Sequence, residues 1–286
     1  MNIIELFENA GIYRENLSGF SIEDSEKVKK QFEIERSQNL NLDQNVADNL
    51  ISAINQFPKE LLFISNNRIL YNFFSKKNYS RNRFITDYSI SVSEENIKSF
   101  IDSFLSRDLD AFFDQSIAQN KFDIIDDLLN VKEYLPQNSL DSLDQKLSAK
   151  LDFIVNKFDE NPSLSSGTET IEFIKYRSFY SLLSHFRSAE NDKKIRAIYS
   201  KMSGSIVNAG VRNEFLNPMV SSMVNYKPLD YELSNSIRSH KDRIDAENDK
   251  EYSSSSSSGG MSTWSIIAIV IVVIRLIMLM ARLGRA

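Results

Sequence analysis

Apolar residues recur three and four positions apart over most of the first 248 residues, the spacing that gives a helix one buried face. Ile3, Ile4, Leu6 and Phe7 make a short cluster ended by Gly11. Ser21 followed by Asp24 marks a helix start, and Val28 and Phe32 share that helix's inner face. Val46, Leu50, Ile51 and Ile54 form the next stripe, with Asp43 as a candidate cap. Phe57 before Pro58 ends it, because proline pushes the preceding residue out of the helical region. The stretch 61–84 fits two patterns: a hairpin turning on Asn66 and Asn67, or a helix breaking near Asn78. Its helical surroundings favour the helix.

From Ser93 onward the pattern is regular. Ser93 caps, Glu94 and Glu95 occupy the positively polarised first turn, and Ile97, Phe100, Ile101, Phe104 and Leu105 fall on one face. Leu109, Phe112, Phe113 and Ile117 repeat it, followed by Phe122, Ile125, Leu128 and Leu129 ahead of Pro136. Leu140, Leu143, Leu147, Leu151, Ile154 and Phe158 define a longer helix, which Asn161 and Pro162 end. One further helix is predicted over 168–187, with Ile171, Ile174, Phe179, Leu182, Leu183 and Phe186 inside. Others are predicted over 193–206, 215–224 and 231–244. Short loops make successive helices antiparallel neighbours. The expected fold is therefore all-α, a multi-helix bundle or a short helical-hairpin array. No fixed repeat period stands out, so the bundle is the stronger form.

The end of the chain has a different character. Residues 253–260 read SSSSSSGG, a flexible linker. Residues 264–281 are almost uninterruptedly apolar, and about 18 residues is near the lower limit for crossing a hydrocarbon core of roughly 30 Å. Trp264 sits where an interfacial aromatic belongs, and Arg282 and Arg285 bracket the other end. Arg275 interrupts the run. Its long stem can snorkel toward the Arg282 side, or its charge can pair with an acidic group on a partner helix. The resulting plan is an N-terminal helical region over 1–92, a helical bundle over 93–248, a Ser/Gly-rich linker over 249–262 and a transmembrane helix over 263–283. The basic residues beyond the span would place the C-terminus in the cytoplasm. The opening MNIIELFENAG, however, has neither the basic nor the apolar region of a signal peptide. The favoured arrangement is a tail anchor with the helical domain in the cytoplasm.

Composition narrows the chemistry. With 42% hydrophobic and 26% charged residues the domain has the makings of a folded core. There is no cysteine, so disulfides and thiolate metal sites are impossible. A net charge of −5 argues against nucleic-acid binding by the domain as a whole. His185 and His240 are the only imidazoles, in none of the spacings that hold zinc or a di-iron centre, and no metal or cofactor is implied. His185 reads as a packed or partly exposed helix residue. Asp123, Asp126 and Asp127, like Asp110 and Asp114, read as the solvated face of a helix rather than an acid–base pair. Residues 204–210, GSIVNAG, have neither a nucleophile elbow nor a phosphate-loop lysine. No catalytic motif is visible.

One segment remains. Between residues 68 and 84, Arg68, Lys76, Lys77, Arg81 and Arg83 alternate with Tyr71, Phe73, Phe74, Tyr79 and Phe84, with no acid among them. Such a surface can hold anionic lipid headgroups, or phosphates with stacked bases, or dock an acidic protein. The plainer reading puts the rings in the core and gives the cations acidic partners within the chain. The sequence thus points to a membrane-anchored scaffold or adaptor, with a lipid bilayer and a protein as partners and homo-oligomers as one mode of assembly. The alternative is an effector that associates through its C-terminal helix and perturbs the bilayer.

Overall fold

The computed structural model describes residues 1–12, 21–38, 45–77, 91–161, 169–209 and 215–255. Among them the regular structure is helical, with no strand. Helix α1 (Ile3–Asn9) starts on a reciprocal cap: the Asn2 side-chain oxygen accepts from the Ile4 and Glu5 amides, and the Asn2 amide donates to Glu5 Oε2 at 2.8 Å. Gly11, at φ +62°, turns the chain away from it. Helix α2 (Ile22–Gln38) starts on the expected Ser21–Asp24 pair, each residue's amide donating to the other's side chain. Helix α3 (Val46–Gln56) ends at Phe57, and Pro58 opens α4 (Pro58–Asn66) at a position where no amide is needed. The ambiguous stretch is helical but broken: Asn67 is extended at φ −78° and ψ 115° and caps α5 (Arg68–Ser75) through the Ile69 and Leu70 amides. The asparagines that suggested a hairpin turn instead separate two helices.

Ser93 caps α6 (Glu94–Phe104) as expected, its side chain accepting from the Asn96 amide at 3.2 Å. Helix α7 (Ser106–Ala118) closes with Asn120 in the left-handed region (φ +56°); the Lys121 amide donates to Ser116 O and the Asn120 amide to Ile117 O. Helix α8 (Phe122–Leu128) passes into a 3-10 turn, Leu129–Tyr134, and α9 (Gln137–Glu160) buries the whole predicted stripe. The single helix expected over 168–187 is instead a 3-10 turn (Glu169–Lys175), α10 (Arg177–Leu183) and a second 3-10 turn (Ser184–Phe186). Tertiary hydrogen bonds account for the break. Lys175 O accepts from Ser222 Oγ at 2.6 Å, while Ser184 Oγ donates to Asn225 O and accepts from the Lys227 amide. The described residues end in α11 (Ala189–Ala209), α12 (Leu216–Met223) and α13 (Tyr231–Ser255).

From α7 to α11 each helix packs on the next but one, and α7 also meets α8, α11 meets α12 and α12 meets α13. Helices α7, α9, α11 and α13 lie side by side in one layer, and α8, α10 and α12 in a second. The earlier helices gather around α1, which touches α2, α3 and α5; α3 and α4 then meet α6, and α5 meets α8. Phe57 stacks edge-on against Phe100 (6.0 Å) and Phe104 (5.8 Å) at this junction. Buried side chains from Ile3 to Ile244 form one connected core, so residues on both sides of position 92 share it. Helix α13 continues to Ser255, so the backbone is helical over the first part of segment 249–262.

Candidate interaction site

Helix α5 carries the first half of the basic–aromatic segment and sorts it into two faces. Tyr71 and Phe74 are buried, and Phe73 packs edge-on against Phe112 with centroids 4.7 Å apart. At the C-terminal end of α5 the cations turn back onto α1. Lys76 Nζ lies 3.2 Å from Glu5 Oε1 and Lys77 Nζ 3.4 Å from Glu8 Oε1, with a further bond from Lys77 to Asn9 Oδ1. The Tyr71 hydroxyl donates to Glu8 Oε2 at 2.6 Å. Two of the predicted patch cations therefore clamp α5 to α1, and the acids they use lie on a helix about seventy residues earlier. Tyr79, Arg81 and Arg83 fall outside the described residues, as do Trp264, Arg275 and Arg282.

Arg68 is placed differently. It is exposed at the opposite end of α5. With Ile69, Asn72 and Phe73 it lines a cleft of about 380 Å³ whose other wall is Ile124, Asp127, Leu128 and Asn130. The cleft is lined by apolar side chains and two asparagines, with one charge of each sign, and Ile124 stands 39% exposed beside it. A second cleft, about 340 Å³, opens between α1, α3 and the α6–α7 junction, among Asn2, Asn49, Ser103, Phe104, Arg107 and Asp108. Burial pushes the Asp108 carboxyl above the ordinary carboxylate range, and the nearby Lys76 charge works against that shift.

A third constellation was not visible in the sequence. Asp126, half-buried on α8, accepts from Ser181 Oγ at 2.9 Å through one oxygen and meets His185 Nε2 at 2.9 Å through the other. Residues more than fifty positions apart meet here because α10 packs on α8. The serine hydroxyl is spent on the carboxylate rather than on the imidazole, so the three groups lack the nucleophile-to-base contact of an acyl-transfer triad. Their effect is to fasten the turn after α10 to α8, and Lys132 adds a bond to His185 O at 3.2 Å. Asp123, Asp127, Asp110 and Asp114 are exposed. Further along, the Tyr226 hydroxyl donates to the buried Asp192 at 2.6 Å. Burial first, and then the Asp192 carboxylate, push that phenol well above its ordinary range. The Asp230 amide completes the Asp192 site at 2.9 Å, so the group ties α11 to the entry of α13.

Among the described residues no three His, Asp or Glu side chains gather as metal ligands. Among the same residues no helix is long and apolar enough to cross a membrane; the expected span, 263–283, lies outside them. Comparisons with protein-family models, with curated proteins and with solved structures found no match.

Proposed function

We propose that the chain is a C-terminally anchored, single-pass membrane protein whose helical domain serves as a protein-interaction scaffold or adaptor at the membrane surface. The apolar run over 264–281, flanked by Trp264 and Arg282, carries this reading. The stacked helices support its second half. They form a connected core that leaves the α5–α8 cleft open, with Arg68 and Asp127 at its edge and Ile124 and Phe73 beside them. A cleft that mixes apolar side chains with amides and one charge of each sign suits a short amphipathic segment of a partner protein.

The length of the Ser/Gly-rich sequence between the end of α13 and the apolar run limits how far the domain can reach over the bilayer. The proposed topology is tested on intact spheroplasts, with protease added from outside and the N-terminal domain detected afterwards. A domain that is membrane-associated and protected places it in the cytoplasm, as proposed. A domain that is digested has crossed the membrane and overturns the tail-anchor topology. Recovery in the soluble fraction after carbonate washing removes the anchor altogether. Leakage of dye from vesicles that requires Arg275 would favour the membrane-perturbing alternative.

A further inference from the structure

Two charges in the cleft between α5 and α8 have no counterpart in the fold. Lys76 and Lys77, from the same basic–aromatic segment as Arg68, are spent on Glu5 and Glu8 of α1. Arg68 and Asp127 line the cleft, and both are exposed. Among the described residues neither the Arg68 guanidinium nor the Asp127 carboxylate has a hydrogen-bond or ion-pair partner. Both also sit where their own helices oppose them. Arg68 is the first residue of α5, and no acid shares that turn. Aligned peptide dipoles make this end positive, so a cation there is unfavourable. Asp127 lies in the last turn of α8, which has no basic residue. That end is negative, and Asp123 one turn back adds a like charge. An acid brought to Arg68 and a base brought to Asp127 would relieve both conflicts.

The apolar residues of the cleft set the shape of what can bring them. Ile69 and Phe73 lie one turn apart on α5, and Ile124 and Leu128 lie one turn apart on α8. Two such rows with a groove between them accept the ridge of a third helix. Phe73 is braced against Phe112, and Ile124 is exposed, so the groove is both formed and open. Among the described residues there is no sheet edge on which an extended peptide could pair.

Building on the scaffold function above, we propose that this cleft docks an amphipathic helix of a partner protein whose apolar ridge is flanked by one acidic and one basic side chain. The carboxylate pairs with Arg68 and the cation with Asp127. Two apolar residues one turn apart enter between Ile69 and Phe73 on one side and Ile124 and Leu128 on the other. The charges then select the partner, because a helix with two acids or two bases meets one like charge.

The test uses the full chain in nanodiscs and three fluorescent helical peptides that share a leucine ridge. They differ in the residues that flank it: one acid and one base, two acids, or two bases. Empty nanodiscs give the background from lipid. At low salt the mixed peptide should bind about fivefold tighter than either like-charged one, and the difference should shrink as salt rises. Arg68→Glu should move the preference to the peptide with two bases, and Asp127→Lys to the peptide with two acids. Ile124→Gln should weaken all three. In detergent, Arg68→Glu and Asp127→Lys should each unfold at a urea concentration no lower than the parent's, because each gives a helix end the charge that end favours. Binding that Ile124→Gln weakens but that shows no charge preference overturns the proposed pairing and leaves the scaffold function standing. Binding of no peptide above empty nanodiscs overturns the docking and removes the cleft from the scaffold function as well. A clear loss of stability in Arg68→Glu or Asp127→Lys means that these charges serve the fold, which also overturns the proposal. Conversion of an oligomer to a monomer by Ile124→Gln, with no peptide bound to the parent, assigns the cleft to a second copy of this chain instead.

Discussion

Glu8 shows at single-residue scale how this domain handles a buried charge. Its side chain is 2% exposed, yet the carboxylate keeps a hydroxyl donor, Tyr71, and an ammonium, Lys77. A carboxylate taken out of water is tolerable only with such partners. Tyr71→Phe removes one of them while leaving the buried ring in place. A hydrogen bond to a charged group is worth about 1.5–3 kcal/mol, so the variant should lose stability of that order in urea unfolding, with an unchanged denaturant slope. In the Glu8→Gln background the same substitution should cost less, since the charge it served is gone. Equal costs in both backgrounds would mean that the hydroxyl matters only for packing. The sequence offered no route to this pair. It shows Glu8 and Tyr71 on two helices, and only the α1–α5 contact joins residues 63 positions apart. The same holds for Asp126 and His185, whose meeting depends on α10 lying against α8. Arg68 and Lys76 were legible only as cations of one basic–aromatic segment. That one would line a cleft and the other would pair with Glu5 was not.

Whole helices were read more faithfully than their joints. The stripe from Leu140 to Phe158 is buried along its length because a 3.6-residue period, sustained over several turns, has one solution. Caps at Ser21 and Ser93 were equally legible, since a short polar side chain before an apolar stripe satisfies orphan amides locally. Breaks made by tertiary contacts were not. The apolar spacing from Ile171 to Leu183 fits a continuous helix, but hydrogen bonds from Ser222 and to Asn225 draw the chain into three pieces. Asn67 is an intermediate case. Two asparagines in an apolar stretch signal a change of direction, and either a turn or a cap satisfies that signal. Its role as a cap makes a prediction about the α4–α5 joint. Asn67→Ala leaves the Ile69 and Leu70 amides without their acceptor and should cost about 1 kcal/mol, whereas Asn67→Ser should recover most of it. Urea unfolding of the two variants decides this. Equal stability of Asn67→Ala and the parent would mean that packing of Leu70 and Phe74 alone holds α5 in place.

At the scale of the whole molecule, folding and anchoring separate along the chain. The connected core runs from Ile3 to Ile244, and its last member lies on α13, the helix that leads toward the Ser/Gly-rich stretch. If the domain and the apolar run are independent units joined by a flexible chain, deleting residues 256–286 should change where the protein is found but not how well it folds. The truncated chain should leave the membrane fraction and unfold within about 0.5 kcal/mol of the detergent-solubilised parent, the range expected for changes away from a packed core. Its intrinsic affinity for a partner should also be kept. What it should lose is retention of that partner at vesicles, because tethering acts by raising local concentration rather than by adding contacts. Two different failures are informative. A large loss of stability would mean that the C-terminal residues pack against the helical domain, and the anchor would then be part of the fold. Persistent membrane association after truncation would shift attention to the basic segment that begins at Arg68, since cations near an anionic surface bind it through charge and release it as salt rises. Repeating the flotation assay in high salt separates that electrostatic attachment from an apolar one.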